Sequence, residues 1–378
     1  MLKAYTWDSQ RRLQPEDEAP AWSVTNASTL SILMPALSSP EAAATAVSAP
    51  LRDKHGRAIT DLRLSVTDRC NYKCVYCRTG NDGAQYAELK AVAYLRLARI
   101  FVSLGIEKLR LTGGEPLLRR DLVGMVRELA TLRTPSGEKL DIALTTNGHL
   151  LADLAQTLKD AGLNRITVSM DACDAATFAR ITRVPDSYER VLAGIRAAQA
   201  AGLAPVKVNA VLLRGFNDDQ IERFAEFSRA EGVIVRFIEF MPLEEDRVWT
   251  PEIVVPMREI LIRLAKVRPV VALPPNAASE TARRYTFDDG VGEIGIIAPV
   301  SEPFCGHCSR IRLTSDGKIR TCLFSQSDHD LYGVMKRGGS DDDLATYIRK
   351  TVDQKEARHH IGEPDFQKPS RSMVHIGG

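Results

Sequence analysis

The chain has no long apolar run and little net charge. Its 378 residues carry a formal net charge of +2 at pH 7, which does not favour general binding to nucleic acid. None of its apolar stretches approaches the roughly 20 residues that a membrane-spanning helix needs. A secretory pattern is also missing, because acidic residues precede the short apolar stretch Leu30 to Leu37. We therefore expect a cytoplasmic protein that binds neither nucleic acid nor a membrane.

The cysteines do not form a disulfide framework. There are seven, an odd number, and six of them are closely spaced in two triplets. The triplets are Cys70, Cys74 and Cys77, and Cys305, Cys308 and Cys322. Such spacings favour metal-bound thiolates in a reducing compartment. Each triplet is one ligand short of the four that saturate a zinc ion or an iron–sulfur cluster, so each leaves one position open. Cys173 belongs to neither triplet, and we assign it no role.

Composition and periodicity divide the chain into three parts. Residues 1–54 are rich in Ala, Ser and Pro without sustained periodicity, and we expect a disordered N-terminal extension. Residues 55–242 alternate short β-like runs with amphipathic helical stretches, which predicts a parallel α/β sheet with a curved or barrel-like shape. The predicted strands are Leu62–Val66, Lys108–Leu111, Asp141–Thr145, Arg165–Ser169, Val206–Leu212 and Val233–Glu239. The predicted helices cover about 87–104, 120–132, 149–161, 187–201 and 217–231.

The rhythm changes in the third part, residues 243–378. A helix is predicted near 256–265, then β-like runs at Arg284–Phe287, Glu293–Ile297, Ile311–Thr314 and Lys318–Thr321, and a helix near 341–352. Asp316–Gly317 is typical of a hairpin turn. The second cysteine triplet brackets this hairpin, so the hairpin is expected to bring its three thiols together.

The first triplet directly follows the first predicted strand, at the edge of a parallel sheet where active sites form. The segment Asp68–Cys77 reads DRCNYKCVYC. It resembles the cluster loop of radical S-adenosylmethionine (SAM) enzymes, in which three cysteines hold a [4Fe–4S] cluster and SAM binds the fourth iron. A zinc loop is the alternative. Thr112–Pro116 reads TGGEP at the end of the second strand, and in these enzymes such a stretch contacts the methionine amino group. The resemblance implies a partial (β/α)6 TIM-like barrel.

The second triplet leaves two interpretations open. Cys305-Gly-His-Cys308 by itself fits a zinc ribbon with His307 or a distant residue as fourth ligand. A chain that already carries one iron–sulfur cluster more readily carries another. Arg310 and Arg312 follow at alternate positions, so on a strand they share one face. Two guanidinium groups beside an open iron form a good anion site. The alternative is that Arg310 and Arg312 form an ordinary basic strand face exposed to solvent.

Residues from about 55 to 378 resemble one family of the superfamily, the GTP 3′,8-cyclases (MoaA). The resemblance rests on D61LRLSVTDRC, R110LTGGEPLLR, T145TNG, S169MD, K207VN, R236FIEFM, the second triplet with its two arginines, and the terminal Gly377–Gly378. It implies a lyase that uses SAM and two [4Fe–4S] clusters, the second in a C-terminal β-containing extension. In that family a 5′-deoxyadenosyl radical removes hydrogen from C3′ of GTP, and 3′,8-cyclo-7,8-dihydro-GTP forms as the first step of molybdenum cofactor (molybdopterin) biosynthesis.

The resemblance also implies the role of each site residue. Cys70, Cys74 and Cys77 hold the first cluster, and Cys305, Cys308 and Cys322 hold the second, whose open iron meets guanine. SAM is lined by Tyr76, Gly114, Ser169 and Met241. GTP is contacted by Arg63, Arg110, Thr145, Lys207, Arg310 and Arg312, the last two being counted with the first triplet as catalytic groups. The Gly-Gly tail is expected to reach into the pocket.

Partners and alternatives follow from the same resemblance. The expected partners are GTP, an electron donor such as flavodoxin or ferredoxin, the next pterin-forming enzyme, and a second copy of the chain in a homodimer. One alternative is another radical SAM enzyme with an auxiliary cluster, such as a peptide maturase, although those usually carry more C-terminal cysteines. A non-catalytic metal-binding or redox-sensing protein is the other alternative, and it would need neither the Gly-Gly-Glu-Pro stretch nor the polar strand ends.

Overall fold

In the computed structural model the described residues are 50–77, 84–245 and 248–377. The predicted N-terminal extension lies outside the described residues up to position 49, and so does Gly378. None of the helices in the described part of the chain is long and apolar enough to cross a membrane.

Six parallel strands form the middle of one sheet. They are β1 (Asp61–Ser65), β2 (Lys108–Thr112), β3 (Asp141–Thr146), β4 (Arg165–Ser169), β5 (Lys207–Leu212) and β6 (Ile234–Glu239). Each pairs in parallel with the next along the chain. The predicted parallel α/β sheet is confirmed, and no strand end differs from its predicted position by more than one residue.

Helices connect these strands. They are α1 (Ala91–Ser103), α2 (Leu122–Ala130), α3 (Leu151–Asp160), α4 (Ala175–Thr182), α5 (Ser187–Ala200) and α6 (Ile221–Glu231). Sequence periodicity did not predict α4, which has only 8 residues. Its start is fixed locally, because the Asp174 carboxylate accepts a hydrogen bond of 2.8 Å from the Thr177 amide and so caps the helix.

The chain after β6 adds strands to both edges of the same sheet. After α7 (Met257–Val267), strands β7 (Val270–Leu273), β8 (Arg283–Phe287) and β9 (Glu293–Ile297) extend the β6 edge. Strands β10 (Arg310–Leu313), β11 (Lys318–Arg320) and β12 (His329–Asp330) extend the β1 edge. The helices α8 (Leu331–Lys336), α9 (Asp341–Val352) and α10 (Met373–Ile376) follow. The barrel is therefore partial, since the described sheet ends at β12 on one side and at β7 on the other.

Strand alternation explains why this sheet has one apolar and one polar face. In β1, Leu62 and Leu64 are buried in the main core, whereas Asp61 and Arg63 are only partly buried. Strands β2, β5 and β6 repeat the pattern, with a charged or amide side chain between apolar ones. Because successive side chains on a strand point to opposite faces, the apolar face packs within the core and the polar face is left for a cavity.

Candidate functional site

A cavity of about 560 Å³ lies along the polar face of the sheet. Every site residue predicted from the sequence lines it, including both cysteine triplets and all the side chains expected around SAM and GTP. They are Arg63, Cys70, Cys74, Tyr76, Cys77, Arg110, Gly114, Thr145, Ser169, Lys207, Met241, Cys305, Cys308, Arg310, Arg312 and Cys322. Cys173 is not part of this wall.

Strand direction places the two triplets at opposite ends of one strand pair. Strand β10 pairs in parallel with β1, and Arg310 lies opposite Asp61. The first triplet follows the carboxyl end of β1, whereas Cys305 and Cys308 precede the amino end of β10. Cys322 follows β11, which runs antiparallel to β10 and so returns to the same amino end. The length of β1, about 15 Å at the usual rise per residue, therefore separates the two cysteine sites along the strand direction.

The glycine pair after β2 holds the start of the first cysteine loop. The Gly114 amide donates a hydrogen bond of 2.8 Å to Thr67 O, and the Glu115 amide donates one of 2.7 Å to Arg69 O. A Cβ atom on Gly113 would lie 2.3 Å from Thr67 O, and one on Gly114 would lie 2.2 Å from Arg69 O. Real side chains do not approach backbone oxygen so closely, so these two positions require glycine for the loop to pack as it does.

Glu115 is part of this support and does not line the cavity. Its carboxylate is buried and accepts hydrogen bonds from Thr146 Oγ1 at 2.7 Å, from the Asn147 amide at 2.7 Å and from the Leu117 amide at 2.9 Å. Burial raises the pKa of Glu115 to about 7, and the three donors oppose that rise. The Glu115 oxygens thus join the end of β2 to the end of β3.

Tyr76 is fixed by a residue that sequence reasoning missed. Its hydroxyl donates a hydrogen bond of 2.7 Å to Asp171 Oδ2, and the Val211 amide donates one of 2.8 Å to Asp171 Oδ1. Burial raises the pKa of Asp171 to about 6. The signal for Asp171 was present in the sequence, because it stands two residues after Ser169 at the same strand end.

The hairpin of β10 and β11 brings the second triplet together, as predicted. The Lys355 ammonium strengthens this arrangement, since it donates to Arg310 O at 2.9 Å and also to Thr321 O. Burial acts to raise the pKa of Cys308, but the neighbouring charges of Arg310 and Lys355 outweigh it and lower the pKa to about 7. A thiol in this setting readily supplies the thiolate that a metal centre needs.

Sulfur spacing distinguishes a single ion from a larger cluster. Thiolates on a tetrahedral zinc ion, with Zn–S near 2.3 Å, lie about 3.8 Å apart. Within the described ranges, one group of three candidate ligand atoms lies within 4.8 Å of one another, at His360, Glu363 and Asp365. Neither cysteine triplet meets this distance criterion. The thiolates of an iron–sulfur cluster bind different iron atoms and lie further apart than those on one zinc ion.

Cationic side chains occupy the wall between the two ends. Arg63 lies opposite Arg110 on one neighbouring strand and opposite Arg312 on the other. Burial, with Arg110 and Arg310 nearby, lowers the pKa of Arg63 to about 9, and burial lowers that of Arg110 to the same value. Arg110 Nη1 donates to Thr145 Oγ1 at 3.1 Å. Because these like charges disfavour one another, a polyanion between them would be strongly stabilised.

Four further cations in the wall were not predicted as site residues. They are Lys108, Arg165, Arg236 and Lys355. Arg236 donates to Asn209 Oδ1 at 2.9 Å, and burial lowers its pKa to about 10. Gly295 on β9 lies opposite Arg236, and a Cβ atom there would lie 2.9 Å from Arg236 Cγ, so this glycine admits the long side chain. Alternation along a strand leads from Arg110 to Lys108 and from Ser169 to Arg165, so the sequence could have identified these two positions.

The C-terminal tail borders the cavity, but Gly377 is not among its lining residues and Gly378 lies outside the described residues. Arg312 Nη1 donates to Gly377 O and, at 3.3 Å, to Ile376 O. Gly377 has φ +71°, and a Cβ atom there would lie 2.9 Å from Thr112 Cγ2. Met373 and Val374, just before it, line the cavity. The tail thus packs against the ends of β1 and β2 beside the first triplet.

Comparison with known proteins assigns the family. The Radical SAM superfamily matches residues 64–228, and the Molybdenum Cofactor Synthesis C family matches residues 233–361. A GTP 3′,8-cyclase of Acidothermus cellulolyticus is 45% identical over 294 residues, which cover 76% of this chain and 80% of that protein. One of Corynebacterium glutamicum is 44% identical over 338 residues, covering 87% and 89%. This chain belongs to the GTP 3′,8-cyclase family.

Membership in the GTP 3′,8-cyclase family confirms the cofactors expected from the sequence, SAM and two [4Fe–4S] clusters. The fold agrees with it. SuiB of Streptococcus suis, in its structure bound to S-adenosylmethionine, superimposes with a TM-score of 0.57 at 13% identity, covering 84% of this chain and 78% of SuiB. At that identity the likeness concerns the fold alone. The zinc alternative for the second triplet is not supported.

Proposed function

We propose that this chain converts GTP into 3′,8-cyclo-7,8-dihydro-GTP, the first step of molybdenum cofactor biosynthesis, inside the cavity described above. One observation carries the proposal. Two open cysteine triplets lie at opposite ends of the β1/β10 strand pair, and arginines project into the same cavity from the strands between them. A substrate held by those cations would meet one cluster at each of its ends.

The cofactors supply the radical chemistry. SAM held at the first cluster would supply, on one-electron reduction and loss of methionine, a 5′-deoxyadenosyl radical able to take hydrogen from C3′ of GTP. The protein holds the reactants and excludes water. Cys70, Cys74 and Cys77 hold the first cluster, and Cys305, Cys308 and Cys322 hold the second. Around SAM stand Tyr76, Gly114, Ser169 and Met241, all near the carboxyl ends of the strands.

Charge complementarity positions the nucleotide. GTP carries several negative charges, and the net charge of the chain is only +2, so binding depends on a few well-placed cations. The cations are Arg63, Arg110, Lys207, Arg310 and Arg312, and Thr145 adds a polar contact. The structure adds Arg236 to this set. Burial, with Arg236 nearby, lowers the pKa of Lys207 to about 8, and a bound phosphate would reverse that shift.

The remaining partners complete the proposal. A flavodoxin or ferredoxin supplies the electron, the next pterin-forming enzyme takes the product, and the chain works in the cytoplasm as a homodimer.

The same proposal divides the chain into three parts. They are an extension at 1–54, a radical SAM barrel at 55–242, and an auxiliary-cluster and GTP-binding region at 243–378. Support for the last boundary comes from the change in strand direction, since β7 and β8 run antiparallel to their neighbours.

Anaerobic turnover tests the function. The holoenzyme is incubated with SAM, a reductant and GTP, and the products are analysed by mass spectrometry after iron and sulfide have been measured. We expect two clusters per chain, 5′-deoxyadenosine, and an isomer of GTP. Deoxyadenosine without a GTP isomer would favour another radical SAM activity, such as a peptide maturase. Absence of both products in fully loaded protein would favour a non-catalytic redox protein.

A further inference from the structure

His359 lies in the cavity wall beside the second cysteine triplet, and nothing above gives it a role. It follows α9 in a segment without regular secondary structure, and it lines the cavity together with Phe304, Leu323 and Phe324. These neighbours give this end of the cavity flat apolar surface beside its cations, since the Arg310 guanidinium lies 5.1 Å from the centroid of the Phe304 ring. Flat apolar surfaces favour a planar base, whereas the cations favour the triphosphate.

The ring of His359 is held in a defined orientation. Its centroid lies 5.2 Å from that of the Phe324 ring, with 58° between the two planes. The backbone amide of Ile361 donates a hydrogen bond of 3.4 Å to His359 Nδ1. Since a backbone N–H can only donate, Nδ1 must carry the lone pair, and the proton of the neutral ring is on Nε2.

The Nε2–H donor has no protein partner among residues 50–77, 84–245 and 248–377. Among the described residues, the hydrogen bond from Ile361 and the tilted ring contact with Phe324 are the polar and ring contacts of His359. Burial, followed by the charges of His360 and Arg358, lowers the pKa of His359 to about 4. The ring is therefore neutral at physiological pH. A neutral N–H donor in a partly apolar wall suits an uncharged acceptor better than a phosphate.

We infer that His359 donates a hydrogen bond from Nε2 to the O6 carbonyl of guanine and so helps to select the base. Guanine presents an acceptor at O6, where adenine presents an amino group. The fixed N–H donor of His359 therefore favours guanine and hypoxanthine, which both carry an O6 acceptor. In adenine it would face the N6 amino group, which is itself a donor. The inference rests on the proposed function, because it takes GTP as the nucleotide that occupies the cavity.

Two substitutions separate the hydrogen bond from the packing of the ring. His359→Phe keeps an aromatic ring against Phe324 and removes the donor. His359→Gln loses the ring and keeps an N–H donor at a similar distance from the backbone. Affinities of the anaerobic holoenzyme for GTP, ITP and ATP are measured by calorimetry, with iron content and SAM binding as checks that each variant is folded.

We expect His359→Phe to bind GTP and ITP about three- to tenfold more weakly, as for the loss of one hydrogen bond, and to bind ATP as before. His359→Gln should recover most of the loss. Equal affinities in His359→Phe and the wild type, an equal loss for GTP and ATP, or a failure of His359→Gln to recover GTP binding would each overturn the inference. If the wild type itself neither binds nor cyclises GTP, the proposed function fails, and the two failures are thereby distinguished.

Discussion

Arg63 on β1 lies directly opposite Arg312 on β10, although most of the described chain separates them in sequence. Like charges facing each other across paired strands are destabilising. Burial lowers the pKa of Arg312 well below its usual range, and the nearby charges of Arg63 and Arg310 add to that effect. The fold therefore maintains an unfavourable arrangement that an anionic substrate relieves, which is common where binding requirements oppose stability.

Replacing Arg63 should separate the two effects. We expect Arg63→Gln to bind GTP at least about tenfold more weakly than the wild type, as for the loss of a charged hydrogen bond. The nucleotide-free variant should melt at the same temperature as the wild type or up to about 2 °C higher. Anaerobic calorimetry and thermal unfolding measure the two quantities. Arg258→Gln, at an exposed position on α7, is the matched control. A lower melting temperature with unchanged GTP affinity would contradict the interpretation.

The glycine pair gives a prediction about cluster assembly. In Gly114→Ala the new Cβ atom would lie 2.2 Å from Arg69 O, so the first cysteine loop must move. We expect the variant to lose about half of the iron, because only the first of two similar clusters is lost, and to form no deoxyadenosine. Gly124→Ala is the control, since a Cβ atom there meets nothing within 4 Å and alanine favours the helix. Full iron content in Gly114→Ala would count against this account of the loop.

Loss of one thiolate tests the assignment of the first triplet. Cys74→Ala should abolish the cleavage of SAM, because two thiolates do not hold a cluster that needs three, while binding of GTP at the other end of the cavity persists. Deoxyadenosine is measured by chromatography, and GTP affinity by calorimetry. Cys173→Ala, a change outside the cavity wall, should leave both quantities unchanged. Continued deoxyadenosine formation by Cys74→Ala would refute the assignment.

Glu115 should make stability depend on pH. Its pKa rises from 4.5 to about 7 in the folded protein because the carboxyl group is buried. The folded state therefore binds this proton more tightly than the unfolded state, so the contribution of Glu115 is most favourable below pH 4.5 and declines as the pH rises towards 7. The full difference is roughly 3 kcal/mol. The melting temperature of the anaerobic wild type should therefore fall relative to that of Glu115→Gln as the pH rises across this range. Parallel curves for the two proteins would exclude Glu115 as the source.

Local patterns predicted the chemistry of the site because the chemistry depends on nearby residues. Cys70, Cys74 and Cys77 fall within one loop, and Gly113 and Gly114 follow one strand, so their spacing is informative by itself. Other wall residues have no such signal. His359 comes from an irregular segment, and the loop carrying Asn276 and Glu280 lines the cavity from the β7–β8 connection. Neither segment is periodic, and only its position in the fold reveals its contribution.

The sequence by itself determined the strand and helix alternation, the two open cysteine triplets and the cations on alternate strand positions, because each depends on periodicity or short spacing. Only the tertiary structure decided that β10 pairs in parallel with β1 and that β9 pairs with β6. Those pairings place the two cysteine sites at opposite ends of one cavity. Hydrogen bonds between distant strands fix such pairings, and no local pattern specifies which strand edge a distant segment will join.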